Sequence, residues 1–103
     1  MKTSIEIKQF ALCDAFDQQL VILTNTLFNE VDSVLVATVN KRSQKKLITG
    51  LQIPIVVDDE DFFVDLLDIA TISKNNLKSI SDRDLLEFRS AIKTGLDLLI
   101  DGF

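Results

Sequence analysis

The sequence predicts a mainly β domain with one C-terminal α-helix, a small antiparallel sheet or barrel on which that helix packs. Three observations predict it. Short apolar runs rich in Ile, Val and Leu recur between polar stretches from Ile5 to Ile72, the pattern of buried or half-buried strands. Beyond Ser81 the period changes, and Leu85, Phe88, Ile92, Leu96 and Leu99 recur at steps of three or four, one apolar stripe of a helix. The 103 residues are the size of one domain and too few for two ordinary ones, so 1–103 reads as a single unit.

Ile5, Ile7 and Gln9 fall on one face of a first strand, and Phe10 through Asp17 is expected to turn the chain back. Leu20-Val21-Ile22-Leu23 suits a short buried strand, and Val34 to Val39 is a second run rich in β-branched residues. The polar, basic stretch from Asn40 to Gly50 is a loop or a short helix. Ile53 to Val57 and Phe62-Phe63-Val64 flank Asp58-Asp59-Glu60-Asp61 and read as a hairpin with an acidic turn. Pro54 cannot donate a ladder hydrogen bond, so it marks an edge or a strand start. Ile69 to Ile72 is a further strand, followed by a polar connection from Lys74 to Lys78.

The helix is expected to begin at Ser81 as N-cap, with Asp84 at N3 and an Ile80–Leu85 staple. Gly102 stands where a left-handed C′ residue is wanted. The last turn carries Asp97 and Asp101, whereas the negative end of a helix dipole favours cations. Lys93 offsets this in part as the i−4 neighbour of Asp97. Either the end is frayed and solvated, or this acidic tip with Phe103 engages a cationic partner.

Composition narrows the function. With 47% hydrophobic residues the core needs neither disulfides nor metal. Net charge is −5, which argues against a phosphate-tracking nucleic-acid binder and for no direct nucleic-acid contact. Basic residues do gather at Lys41, Arg42, Lys45 and Lys46, a solvated loop or, as the sharper reading, an RNA contact. No His is present, which removes histidine acid–base chemistry and most zinc sites. Gly50, Gly95 and Gly102 stand too far apart for a phosphate loop. Cys13 is the one cysteine and reads as a small buried hydrophobe. No cofactor, metal or catalytic residue is expected, and no apolar run is long enough for a membrane span; a cytoplasmic protein that binds another protein without catalysis is the expectation.

The closing segment Ala91 to Phe103 resembles the final helix of the CcdB family of type II toxin–antitoxin toxins, which ends in an aliphatic run, one variable residue and Gly-Ile or Gly-Phe. Ile53 to Val64 and Asp68-Ile69-Ala70-Thr71-Ile72 are similar to two further family segments, so the likeness runs from about Leu51 to the end. It implies an SH3-like barrel of the CcdB/MazF type with a small extra sheet, assembled as a homodimer. It also implies poisoning of DNA gyrase through its A subunit by the helix end, and neutralisation by a CcdA-like antitoxin. By position, the gyrase contacts would be Leu27, Phe28, Thr94, Asp97, Asp101, Gly102 and Phe103. Asp101 stands where the best-known members have Trp, and Thr24-Asn25-Thr26 replaces a Gln-Ser-Asp segment. The alternatives are a MazF-like endoribonuclease toxin of the same architecture and a non-toxic module that binds only the antitoxin.

Overall fold

The computed structural model describes residues 7–25 and 30–102. Six strands precede the helix: β1 (Ala11–Ala15), β2 (Gln18–Ile22), β3 (Ser33–Lys41), β4 (Gln52–Val57), β5 (Glu60–Ser73) and β6 (Ser79–Asp84), then α1 (Arg89–Asp101). They form one antiparallel sheet in the order β4-β5-β3-β2-β1-β6, curled into a half-barrel. The two outermost strands approach each other, and Arg83 of β6 is ion-paired with Asp58 in the β4–β5 turn. All six strands lie in the one sheet, so the small extra sheet that the resemblance implies does not form among the described residues.

Strand alternation sorts the core onto two faces. On one, Leu12, Val21, Ala37, Val39, Ile53, Ile55, Val64 and Leu66 meet Phe10, Leu85 and Ile92, with Phe88 and Leu96 packed at the margin. On the other, Ala11, Cys13, Ala15, Leu20, Ile22, Val34 and Val36 pack with Ile7 and Leu77. Successive residues Leu20 to Leu23 along β2 and just past its end thus alternate between the two buried sets, and β3 contributes Val34 and Val36 to one and Ala37 and Val39 to the other.

Several expectations of the sequence are corrected. The first strand expected at Ile5, Ile7 and Gln9 does not form over its described part: Ile7 precedes any strand and Gln9 lies in a turn, while Ile5 is outside the described residues. The segment from Phe10 to Asp17 is mostly strand: β1 pairs with β2 through Leu12↔Val21 to Ala15↔Gln18, and the reversal is confined to Phe16 and Asp17. Both have positive φ, 54° and 59°, the backbone of a two-residue hairpin loop that normally carries Asn-Gly. Phe-Asp gives no such cue. The helix also begins later than Ser81, at Arg89. Residues 79–84 are drawn into the sheet as β6, with Ala11↔Asp84, Cys13↔Ile80 and Asp14↔Ser79. Lys8 holds Asp84 at 2.7 Å, and the Asp84 carboxylate also accepts the Leu86 amide (3.1 Å). The Lys8 hydrogen bond first, and the Leu86 amide after it, hold the Asp84 carboxyl below the ordinary aspartate value. Ladder pairing at an otherwise open edge thus outweighs a capping pattern of modest strength.

Runs read as two strands, Phe62–Val64 and Ile69–Ile72, are one: β5 passes through both. Its register against β3 jumps from Thr38↔Asp65 to Ala37↔Ile69, so Leu66, Leu67 and Asp68 form an irregular bend. The hairpin lies where the sequence placed it, but its turn is only Asp58–Asp59, with Glu60 and Asp61 already in β5; the strand expected over Leu20 to Leu23 forms as Gln18–Ile22. The far end of α1 is also as expected, with Gly102 left-handed (φ 75°) and its amide donating to the Leu98 carbonyl (2.8 Å).

Candidate functional site

The basic connection between β3 and β4 is a loop, pinned at both ends. Where β3 ends, the Arg42 amide donates to the Asp61 carbonyl (3.0 Å). At the other end the Ile48 carbonyl accepts from the amides of Leu51 (3.2 Å) and Gln52 (2.9 Å), while Gln52 Oε1 accepts the Ile48 amide (2.9 Å). Gly50 completes the turn with φ +86°. Lys41 at the end of β3 and Arg42, Lys45 and Lys46 after it are all exposed, and the Lys45 amide donates to Ser43 Oγ (3.3 Å).

The bend of β5 faces this loop. The Leu66 amide leaves the ladder to reach the Leu51 carbonyl (2.9 Å), and the Leu67 amide folds back onto Asp65 Oδ1 (3.0 Å). Between loop and bend lies an open pocket of about 340 Å³ whose lining includes Lys41, Lys45, Lys46, Phe63, Asp65 and Asp68. In a chain of net charge −5, three lysines line one opening beside two aspartates, with the Lys41 ammonium also ion-paired to Glu60 (3.4 Å). Lysine ammoniums can bind a phosphodiester and a carboxylate can accept a proton, chemistry that needs no imidazole. Among the described residues no group of three or more His, Cys, Asp or Glu is arranged to hold a metal ion, and no helix is long and apolar enough to cross a membrane.

The residues matched to gyrase contacts sit elsewhere. Thr94, Asp97, Asp101 and Gly102 are exposed on α1 or at its cap. Thr94 and Asp97 border a shallow surface with Arg89 and Lys93, and Ile100 beside them is 78% exposed. Leu27, Phe28 and Phe103 lie outside the described residues. Cys13 is buried as expected, and burial, with the Asp14 carboxylate adding to it, pushes its thiol up to about 11, the opposite of a reactive thiolate.

The fold has been seen before. It is shared with an endoribonuclease from a mycobacterial species (15% identity, 97% of this chain and 96% of that one, TM-score 0.78). A second mycobacterial endoribonuclease, in complex with its cognate antitoxin, matches at 16% identity over 90% and 93% of the two chains (TM-score 0.71). A toxin from Mtb matches at 15% identity over 82% and 94% (TM-score 0.68). No family profile matches the sequence, and no curated protein does. The expectation of a binder without catalysis is corrected by these neighbours: nearly the whole chain has the fold of proteins named as enzymes that cut RNA.

Missing His and scattered Gly offered no reason to place Asp65, Asp68, Phe63 and Gln52 beside the basic loop, where they line one pocket with it. One cue was available. Asp61, Phe63 and Asp65 alternate with Phe62 and Val64, so strand periodicity alone puts them together on one face, opposite to that of Phe62 and Val64.

Proposed function

We propose that this protein is the toxin of a type II toxin–antitoxin pair and that it cleaves single-stranded RNA at the pocket between the β3–β4 loop and the β5 bend. The observation that carries the reading is the joint presence there of Lys41, Lys45 and Lys46 with Asp65 and Asp68, in a fold shared with endoribonucleases. This replaces the expectation of no direct nucleic-acid contact. Asp65, fixed by the Leu67 amide, takes the proton of the ribose 2′-OH as that oxygen attacks the adjacent phosphorus. The lysine ammoniums neutralise the charge that develops on the phosphoryl oxygens, and one of them protonates the departing 5′-oxygen. The products are a 2′,3′-cyclic phosphate and a free 5′-hydroxyl. A cognate antitoxin, a homodimeric assembly and action in the cytoplasm belong to the same proposal.

Incubation of the purified protein with end-labelled single-stranded RNA tests it. Cleavage giving cyclic-phosphate ends is expected, lost in Asp65→Asn and lowered at least tenfold in the Lys45→Ala, Lys46→Ala double variant. Intact RNA after prolonged incubation overturns it.

Gyrase poisoning through the helix end is the second reading, favoured by one observation: Thr94, Asp97 and Asp101 follow one another at steps of three and four on exposed helix positions. Accumulation of cleaved gyrase–DNA complexes with intact RNA selects it over RNA cleavage.

A further inference from the structure

We propose that Phe63 is the platform on which one unpaired nucleobase of the substrate stacks, flanked by Gln52 and Asn40 as hydrogen-bonding groups that set which base is preferred. The inference deepens the RNA-cleavage reading and rests on it.

The sheet register builds the platform. Phe63 lies in the central strand of three, opposite Asn40 of β3 on one side and Pro54 of β4 on the other. One step along the same face, Asp65 lies opposite Thr38 and Gln52. The neighbours of Phe63 along β5, Phe62 and Val64, belong to the helix-side core, so Phe63 is on the opposite face. It is only half-buried and lines the pocket together with Asn40, Gln52 and the loop lysines. A core aromatic has no reason to stand there. An aromatic ring in a shallow, cation-rimmed opening is the arrangement that accepts a base on its face while ammonium groups hold the backbone.

The polar neighbours are held in place. Gln52 spends its oxygen on the Ile48 amide (2.9 Å), which leaves its two N–H donors for the pocket. Asn40 donates to Thr38 Oγ1 (3.0 Å) and accepts from Gln18 Nε2 (3.4 Å). It keeps one N–H and one lone pair. Stacking on Phe63 tolerates every base; hydrogen bonds from Gln52 and Asn40 distinguish among them.

The test uses fluorescently labelled, 2′-O-methyl RNA ten-mers, which bind but cannot be cut because the attacking hydroxyl is blocked. Each is prepared with an intact central nucleotide and with an abasic one. Phe63→Leu is expected to weaken binding of the intact oligonucleotide by about 5- to 100-fold, as loss of one base–aromatic stack does, and to leave abasic binding unchanged. Phe63→Tyr should restore intact binding, which a folding defect would not allow. Gln52→Ala is expected to change the ranking of the four central bases more than the mean affinity. Equal loss on intact and abasic strands, no loss in Phe63→Leu, or no binding by the wild type overturns the platform. Wild-type cleavage of RNA with Phe63 silent refutes the platform alone. Phe63-dependent binding without any cleavage of unmodified RNA refutes the nuclease reading alone.

Discussion

Replacing Gly95 by Ala isolates the contact that seats α1 on the sheet. Gly95 is fully helical and buried, so helix propensity by itself favours Ala there by about 0.8–1 kcal/mol. The space does not allow it. A Cβ at Gly95 would lie 2.4 Å from Leu66 Cδ1 and 2.5 Å from the Gly50 carbonyl oxygen. Leu66 can rotate at some cost, but the Gly50 oxygen belongs to a backbone turn that closes the β3–β4 loop. Overpacking of this kind costs roughly 1–3 kcal/mol, and the backbone partner places it at the upper end. The net loss is then about 1–2 kcal/mol. For a domain of this size it lowers Tm by roughly 5–12 °C. Thr94→Ala, one position earlier on the exposed side, is the control: only propensity acts, and it should stabilise by about 0.5 kcal/mol. Thermal and urea unfolding of both variants measure the difference. A Gly95→Ala protein as stable as the wild type, or more stable, refutes the close approach of α1 to Gly50.

Other expected outcomes test the turns and the core. Asp59 has φ 63° in the β4–β5 loop, a left-handed conformation that costs a residue with a Cβ about 1 kcal/mol. Asp59→Gly should therefore raise stability by about 0.5–1 kcal/mol in urea unfolding while sparing the Asp58–Arg83 ion pair. The Cys13 thiol, raised from 9.0 to about 11, holds its proton in the folded state more tightly than in the unfolded one. Its contribution to stability is fully present below pH 9 and is lost as pH rises from 9 to 11. Wild type should lose more of its urea midpoint across that window than Cys13→Ala, and parallel curves would show that the thiol is not held protonated by the fold.

The sites and elements that could be read from residues alone share one property: their cause is local. The Val34–Val39 and Ile53–Val57 runs are β-branched and bounded by polar residues, and β3 and β4 form over them. The left-handed cap at Gly102 follows from a glycine after an apolar stripe. In a stretch that reads as a loop or a short helix, and is a loop, the Lys41–Lys46 cluster was visible as a cluster. The partners of that cluster were not. Asp65 and Asp68 lie about twenty residues away in sequence, and only the β5 bend brings them to the same opening as the lysines.

By itself the sequence determined an aliphatic core, a β-rich body, a helix after it and a localised basic stretch, because composition and periodicity act over a few residues. Tertiary structure alone decided three things. Residues 79–84 became an edge strand because β1 offered unpaired backbone groups that a helix turn would have left unsatisfied. Helix α1 settled over Gly50 and Leu66 because Gly95 has no side chain to keep it away. The bend of β5 brought Asp65 and Asp68 to the same opening as Lys41, Lys45 and Lys46. The chain path through β3, β4 and β5, not the spacing of residues along the chain, supplies that place.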